Sequence, residues 1–145
     1  GPEREQALSD FHDRFEGNAL VIDKWFTLQA TALRPKVLEE IERLARHEAF
    51  TMSNPNRVRA LYAAMAGNPL AFHDASGAGY RMIADLILEL NLKNPQLAAR
   101  FVPSLGRFRR VEPRRSALMK AELERISQAP KLSRDVAEQV SASLG

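Results

Sequence analysis

The sequence predicts an all-α fold, and three observations predict it. Apolar residues recur at helical spacing along nearly the whole chain. Proline-bearing pairs punctuate that recurrence. No stretch shows sustained apolar–polar alternation with β-branched residues, so no sheet is expected. The 145 residues suit a single helical domain spanning 1–145, long enough to bury a core.

The first segment, through Leu8, Phe11 and Phe15, reads as helix. Val21, Ile22, Trp25, Phe26 and Leu28 form a denser stripe, which predicts a helix buried on more than one side. Val37, Leu38, Ile41, Leu44 and Ala45 follow i, i+3, i+4, i+7 spacing, and Val58, Leu61, Tyr62 and Met65 repeat it. So do Ile83, Leu86, Ile87 and Leu90, then Leu97, Phe101, Val102 and Leu105. Met119, Leu123 and Ile126 carry the next stripe, and Val136, Val140 and Leu144 the last.

Boundaries have their own chemistry. Asn54-Pro55, Asn94-Pro95 and Glu112-Pro113 each precede an apolar-periodic run. An Asn side chain can cap free N–H groups, and Pro at the first helical position loses no needed donor. Ser133 can cap the last helix, and Arg34-Pro35 marks another break. The reading is about eight helices of roughly ten to sixteen residues, with loops short enough to make successive helices antiparallel. Such a stack resembles a HEAT or armadillo superhelix in architecture, without a strict internal sequence repeat. Gly67–Tyr80 is the longest connection. Its Phe72, His73 and Tyr80 predict an ordered loop packed on helices.

Bulk properties exclude several function classes. Charged residues make up 27% of the chain, with formal net charge +3. A nucleic-acid binder usually shows sharper asymmetry, and no nucleic-acid partner is expected. There is no cysteine, so no disulfide, thiol chemistry or Cys-based zinc site arises within this chain. No apolar run reaches the length of a membrane span, so no membrane partner is expected. The start, Gly-Pro-Glu-Arg-Glu, is no signal peptide, and Gly1-Pro2 has the look of a cloning scar. A cytoplasmic location is expected.

Catalytic and metal-binding chemistry is hard to find. His47-Glu48-Ala49-Phe50-Thr51 begins the H-E-x-x-H pattern of zinc proteases but has Thr51 where the second His should stand. His47 reads instead as a C-terminal helix residue favoured by the helix dipole. His12 beside Asp13 reads as a surface residue, and His73 beside Asp74 as loop packing. Ser53, Ser76, Ser104 and Ser116 lack a nucleophile-elbow context, and Gly77-Ala78-Gly79 lacks a preceding strand and a third glycine. No catalytic residue and no metal ligand are assigned.

Two arginine sets remain. Arg107, Arg109, Arg110, Arg114 and Arg115, with Phe108, cluster at one break. They read as a solvated helix-terminal surface before they read as a nucleic-acid grip. Arg57, Arg59 and Arg100 flank apolar stripes. They read either as snorkelling or ion-paired residues, or as guanidinium forks on an inner surface that meets carboxylates.

Several strings are then recognisable in order along essentially the whole chain. They are Asp23-Lys24-Trp25-Phe26, Phe50-Thr51-Met52-Ser53-Asn54-Pro55-Asn56-Arg57-Val58-Arg59, the Gly67–Tyr80 loop, Asn94-Pro95-Gln96 through Arg100, and Leu118-Met119-Lys120-Ala121-Glu122-Leu123-Glu124-Arg125. Together they resemble the C-terminal domain of the bacterial aminopeptidase N family; the Arg107–Pro113 stretch matches less well. The resemblance implies a parent zinc-dependent, broad-specificity aminopeptidase. Its upstream catalytic domain would hold the zinc and both catalytic motifs, so this chain itself needs no cofactor. It further implies a helical domain that closes over the catalytic domain and encloses the chamber through which peptides reach the zinc. By similarity, Arg59 and Arg100 lie on the chamber-facing side and form the candidate substrate channel. The expected partners are the upstream catalytic domain, peptide substrates and, for the isolated domain, a second copy. An independent helical-repeat module that binds proteins or peptides is the alternative reading.

Overall fold

The computed structural model describes residues 3, 4, 6 and 18–145, and those residues are all-α, with no strand among them. The expected helix through Leu8, Phe11 and Phe15, the surface residue His12, and Gly1-Pro2 lie outside the described residues. The helices are α1 (Ala19–Ala30), α2 (Val37–Leu44), α3 (Pro55–Ala66), the single turn α4 (Pro69–Phe72), α5 (Ala78–Lys93), α6 (Pro95–Gly106), α7 (Pro113–Ser127) and α8 (Arg134–Leu144), with a 3-10 turn at Arg107–Arg110. The caps fall where the sequence puts them. Asn54 Oδ1 accepts from Arg57 N–H and Asn94 Oδ1 from Leu97 N–H, each at 3.2 Å. Glu112 accepts from the amides of Arg114 and Arg115, and Ser133 from that of Val136. Asn18 caps α1 through Val21 N–H as well.

The chain divides into two compact units, Gly1–Leu70 and Ala71–Gly145. In the first, α1 packs on α2 and α3 around Ile22, Phe26, Ile41, Val58, Leu61 and Met65. Aromatic edges build a second layer: Trp25 meets Phe26 at 5.0 Å, Phe26 meets Phe50 at 5.8 Å, and Phe50 meets Tyr62 at 5.8 Å. Edge-to-face contacts of this kind add to burial because ring edges are positive and faces negative. Asn68, 2% exposed, ties two chain turns together. Its amide nitrogen donates to the carbonyls of Ala30 and Ala32, and its oxygen accepts from Leu70 N–H.

Two expectations change here. The helix α1 is not buried on more than one side: its buried residues Ile22, Trp25, Phe26, Gln29 and Ala30 share one face, and Leu28 is 44% exposed and Leu20 78%. His47 does not end a helix: α2 stops at Leu44, and His47 sits in the turn beyond, between Trp25 and Phe26. Its Nδ1 accepts from Ala49 N–H at 2.9 Å, so a turn hydrogen bond and aromatic packing, not the dipole, position it.

The second unit is mainly aliphatic. α5 and α6 pack together, α8 lies against α6, and α7 touches both α5 and α8. Ile83, Ile87, Leu90, Leu105, Met119, Leu123 and Ile126 are fully buried there. Asn91 is this unit's counterpart of Asn68: it donates to Lys131 O and accepts from Ser133 N–H. The long Gly67–Tyr80 connection is partly helical, since it contains α4 and the first turn of α5. Gly79 allows that turn to approach closely. A Cβ there would stand 2.3 Å from Ala71 O and 2.6 Å from Phe72 O, which no side chain tolerates.

Candidate functional site

The candidate residues are arginines, so the question is which guanidinium groups the fold uses up and which it leaves facing out. On α3, Arg57 and Arg59 are two residues apart, roughly 200° around a helix. Helical geometry therefore sends them to opposite fates. Arg57 is buried; its Nε donates to Asp23 and one terminal nitrogen donates to Ala49 O. The guanidinium also stacks 5.7 Å from the centre of the Phe26 ring. A buried charge needs a paired countercharge and filled donors, and Arg57 has both. Arg57 is thus a structural residue that ties α1, the turn before α3, and α3 itself together.

Arg59 points the other way and is half-buried. One of its terminal nitrogens donates to Asn56 Oδ1 at 2.7 Å. That single bond fixes the side chain and leaves most of its five donors available.

Arg100 lies on α6 opposite the buried face of Leu97, Ala98, Phe101, Val102 and Leu105. It is exposed, and among the described residues no side chain or carbonyl takes up its guanidinium. It borders an open polar groove of about 410 Å³ between α6 and α8, lined by Gln96, Arg100, Asp135, Glu138 and Gln139 together with Ala99. Glu138 is held by Arg134 at 2.9 Å. The groove therefore offers one free guanidinium, carboxylates on its far wall and two amides.

The basic run is mostly committed to the fold. Arg109 donates to the carbonyls of Ser143 and Leu144 and covers the Phe108 ring at 4.3 Å. Arg114 donates to Ala75 O, and Arg115 to His73 O and Glu112. These are helix-end and loop clamps. The loop they hold contains His73, whose Nδ1 meets the Tyr80 hydroxyl at 2.6 Å. Burial and the Arg115 charge push the His73 pKa down, and burial pushes the Tyr80 phenol up against the pull of Arg115.

Metal chemistry finds no support in these residues. No group of three or more His, Asp or Glu side chains converges among the described residues, and the Nδ1 atoms of His47 and His73 are already engaged. Among the described residues no side chains are arranged to hold a zinc ion. Likewise, no described helix is long and apolar enough to cross a membrane. The sequence reading missed Asn68, Asn91 and Asp23. Only Asp23 had a legible signal, a carboxylate within an apolar stripe.

All-helical packing with capped, short-linked helices defines a repeat-type α domain, and the comparisons agree. The chain belongs to the family described as "domain of unknown function (DUF3458_C) ARM repeats", which matches residues 1–145. Within known proteins it corresponds to the C-terminal helical region of aminopeptidase N. It is 47% identical over 146 residues to aminopeptidase N of Caulobacter vibrioides and 42% identical over 144 residues to that of Escherichia coli. These alignments cover 100% and 99% of this chain, but the chain spans only 17% of each relative. A crystal structure of Legionella pneumophila aminopeptidase A in complex with aspartic acid matches 99% of the chain, and 17% of its own, with a TM-score of 0.92 at 34% identity.

Proposed function

We propose that this chain is the non-catalytic C-terminal domain of a zinc-dependent, broad-specificity aminopeptidase, acting in the cytoplasm. It covers the upstream catalytic domain and shapes the chamber and entry path for peptides. The observation that carries the reading is the contrast on matched segments: Arg57 is consumed by the core, whereas Arg59 and Arg100 face outward with donors to spare. A guanidinium fork binds a carboxylate through two parallel hydrogen bonds, which suits the C-terminus or an acidic side chain of a peptide. Asp135 and Glu138 would receive an amino group or basic side chain, and the amides of Gln96 and Gln139 would bond a peptide backbone. The zinc and the catalytic groups belong to the upstream domain. The work of this domain is to hold the peptide and exclude folded proteins.

The test uses the full-length polypeptide with Arg59→Ala and Arg100→Ala, assayed on short and long peptides. A change in KM that grows with peptide length supports the reading, because uniform binding is lost away from the reacting atoms. Unchanged kinetics on both substrate classes would sink it.

A further inference from the structure

Two arginines stand close to the positive end of α3. Arg57 and Arg59 are the third and fifth residues of the helix, and its first turn holds no acidic residue. Unpaired N–H groups and the helix dipole make that end unfavourable for cations. Arg57 has a countercharge, because its Nε pairs with Asp23. Arg59 has none: among the described residues no carboxylate pairs with it. Its guanidinium is held instead by Asn56, whose side-chain oxygen accepts from a terminal nitrogen at 2.7 Å. Residues three apart share one side of a helix, so the two side chains meet above the same turn.

Asn56 is the second residue of α3, where the dipole favours aspartate over asparagine. The amide forgoes that stabilisation and leaves the charge of Arg59 whole. A carboxylate at this position would also hold the guanidinium, but it would neutralise it and compete for the donors that an incoming carboxylate needs. We infer that Asn56 is a positioning residue: it holds the Arg59 fork in one orientation, without neutralising it, so that the fork is pre-organised for a peptide carboxylate. The inference rests on the substrate-path reading of Arg59. A free arginine side chain loses rotamer freedom on binding, and one already tethered loses less.

The test uses the full-length polypeptide with Asn56→Ala, Asn56→Asp and Arg59→Ala, and with each Asn56 change combined with Arg59→Ala. Each variant is assayed on a chromogenic alanyl amide, which carries no peptide carboxylate, and on a long free-acid peptide. Its thermal unfolding midpoint is measured alongside. Asn56→Ala should raise KM for the long peptide about fivefold, the worth of one hydrogen bond, and leave the chromogenic substrate unchanged. Asn56→Asp should raise that KM about tenfold while the unfolding midpoint holds or rises, a combination that a merely structural role does not produce. Neither change should add to the effect of Arg59→Ala, because residues acting through one group are not additive. An unchanged KM with Asn56→Ala, beside a raised KM with Arg59→Ala, overturns the inference and leaves the substrate-path reading standing. A wild-type KM with Asn56→Asp overturns it too, as does an Asn56→Ala effect that persists in the Arg59→Ala background. If Arg59→Ala itself leaves KM for the long peptide unchanged, the reading and the inference fall together.

Discussion

In the first unit the Arg57 guanidinium lies inside the core, held by Asp23, Ala49 O and the Phe26 ring. In the second unit no arginine is buried; Arg109, Arg114 and Arg115 reach from the surface to cap carbonyls and hold a loop. The first unit holds a desolvated ion pair, Arg57–Asp23, beneath aromatic rings, and a second, Arg34–Glu40, whose charged atoms are also buried. The second relies on aliphatic packing and a backbone contact so close that only glycine fits. The difference teaches where each unit is fragile. A buried pair cannot lose one member cheaply, whereas an aliphatic core fails by overpacking.

Four measurements would break or sharpen that contrast. Arg57→Ala leaves Asp23 and Ala49 O without their donor, and the loss should be about 3–5 kcal/mol. Arg57→Lys should recover little of it, because one ammonium cannot replace a planar fork that also covers Phe26. Urea unfolding reads both, and a cost near zero for Arg57→Ala would remove the distinction between the units. Gly79→Ala drives a methyl into two carbonyls and should cost about 3 kcal/mol in the second unit. If calorimetry shows it to be neutral, the close approach is not essential.

Tyr80→Phe removes the hydroxyl bonded to His73 and should cost about 1 kcal/mol. The smallest effect is on pH dependence. The folded His73 pKa lies below its ordinary 6.5, chiefly through burial and then through Arg115. Between the two values the unfolded chain holds more protons, so stability falls as pH drops through 6.5 toward the lowered value, and it is fully present above 6.5. Glu112 and Tyr80 are the other titratable groups in this cluster. His73→Gln should flatten that part of a stability–pH curve, and an unchanged slope would assign it to other groups.

Much of the fold was legible because helices announce themselves locally. The Asn54, Asn94, Glu112 and Ser133 caps needed only the residues two or three positions ahead of them. The Arg57–Arg59 spacing also implied opposite faces, although it did not say which face was inside. The α1 stripe misled for a related reason. A dense apolar stripe reads as burial on more than one side, but burial requires a neighbour, and none of the described residues covers Leu20 or Leu28. His47 was misplaced because α2 ends at Leu44, short of where its charge pattern suggested, and the turn is closed by a side chain-to-backbone bond.

Periodicity, caps and charge balance therefore determined the class, the helix starts and the absence of an H-E-x-x-H pair, all properties of residues within one turn of each other. Contacts across long stretches of chain settled the rest. Asp23 meets Arg57, Asn68 reaches back to Ala30, Asn91 reaches forward to Ser133, and Arg115 reaches back to His73. Each of these depends on which helices become neighbours, and helical periodicity carries no information about a partner dozens of residues away. The same physics separates the two site arginines: Arg59 is held by a residue three positions before it, whereas the groove beside Arg100 exists only because α8 packs on α6.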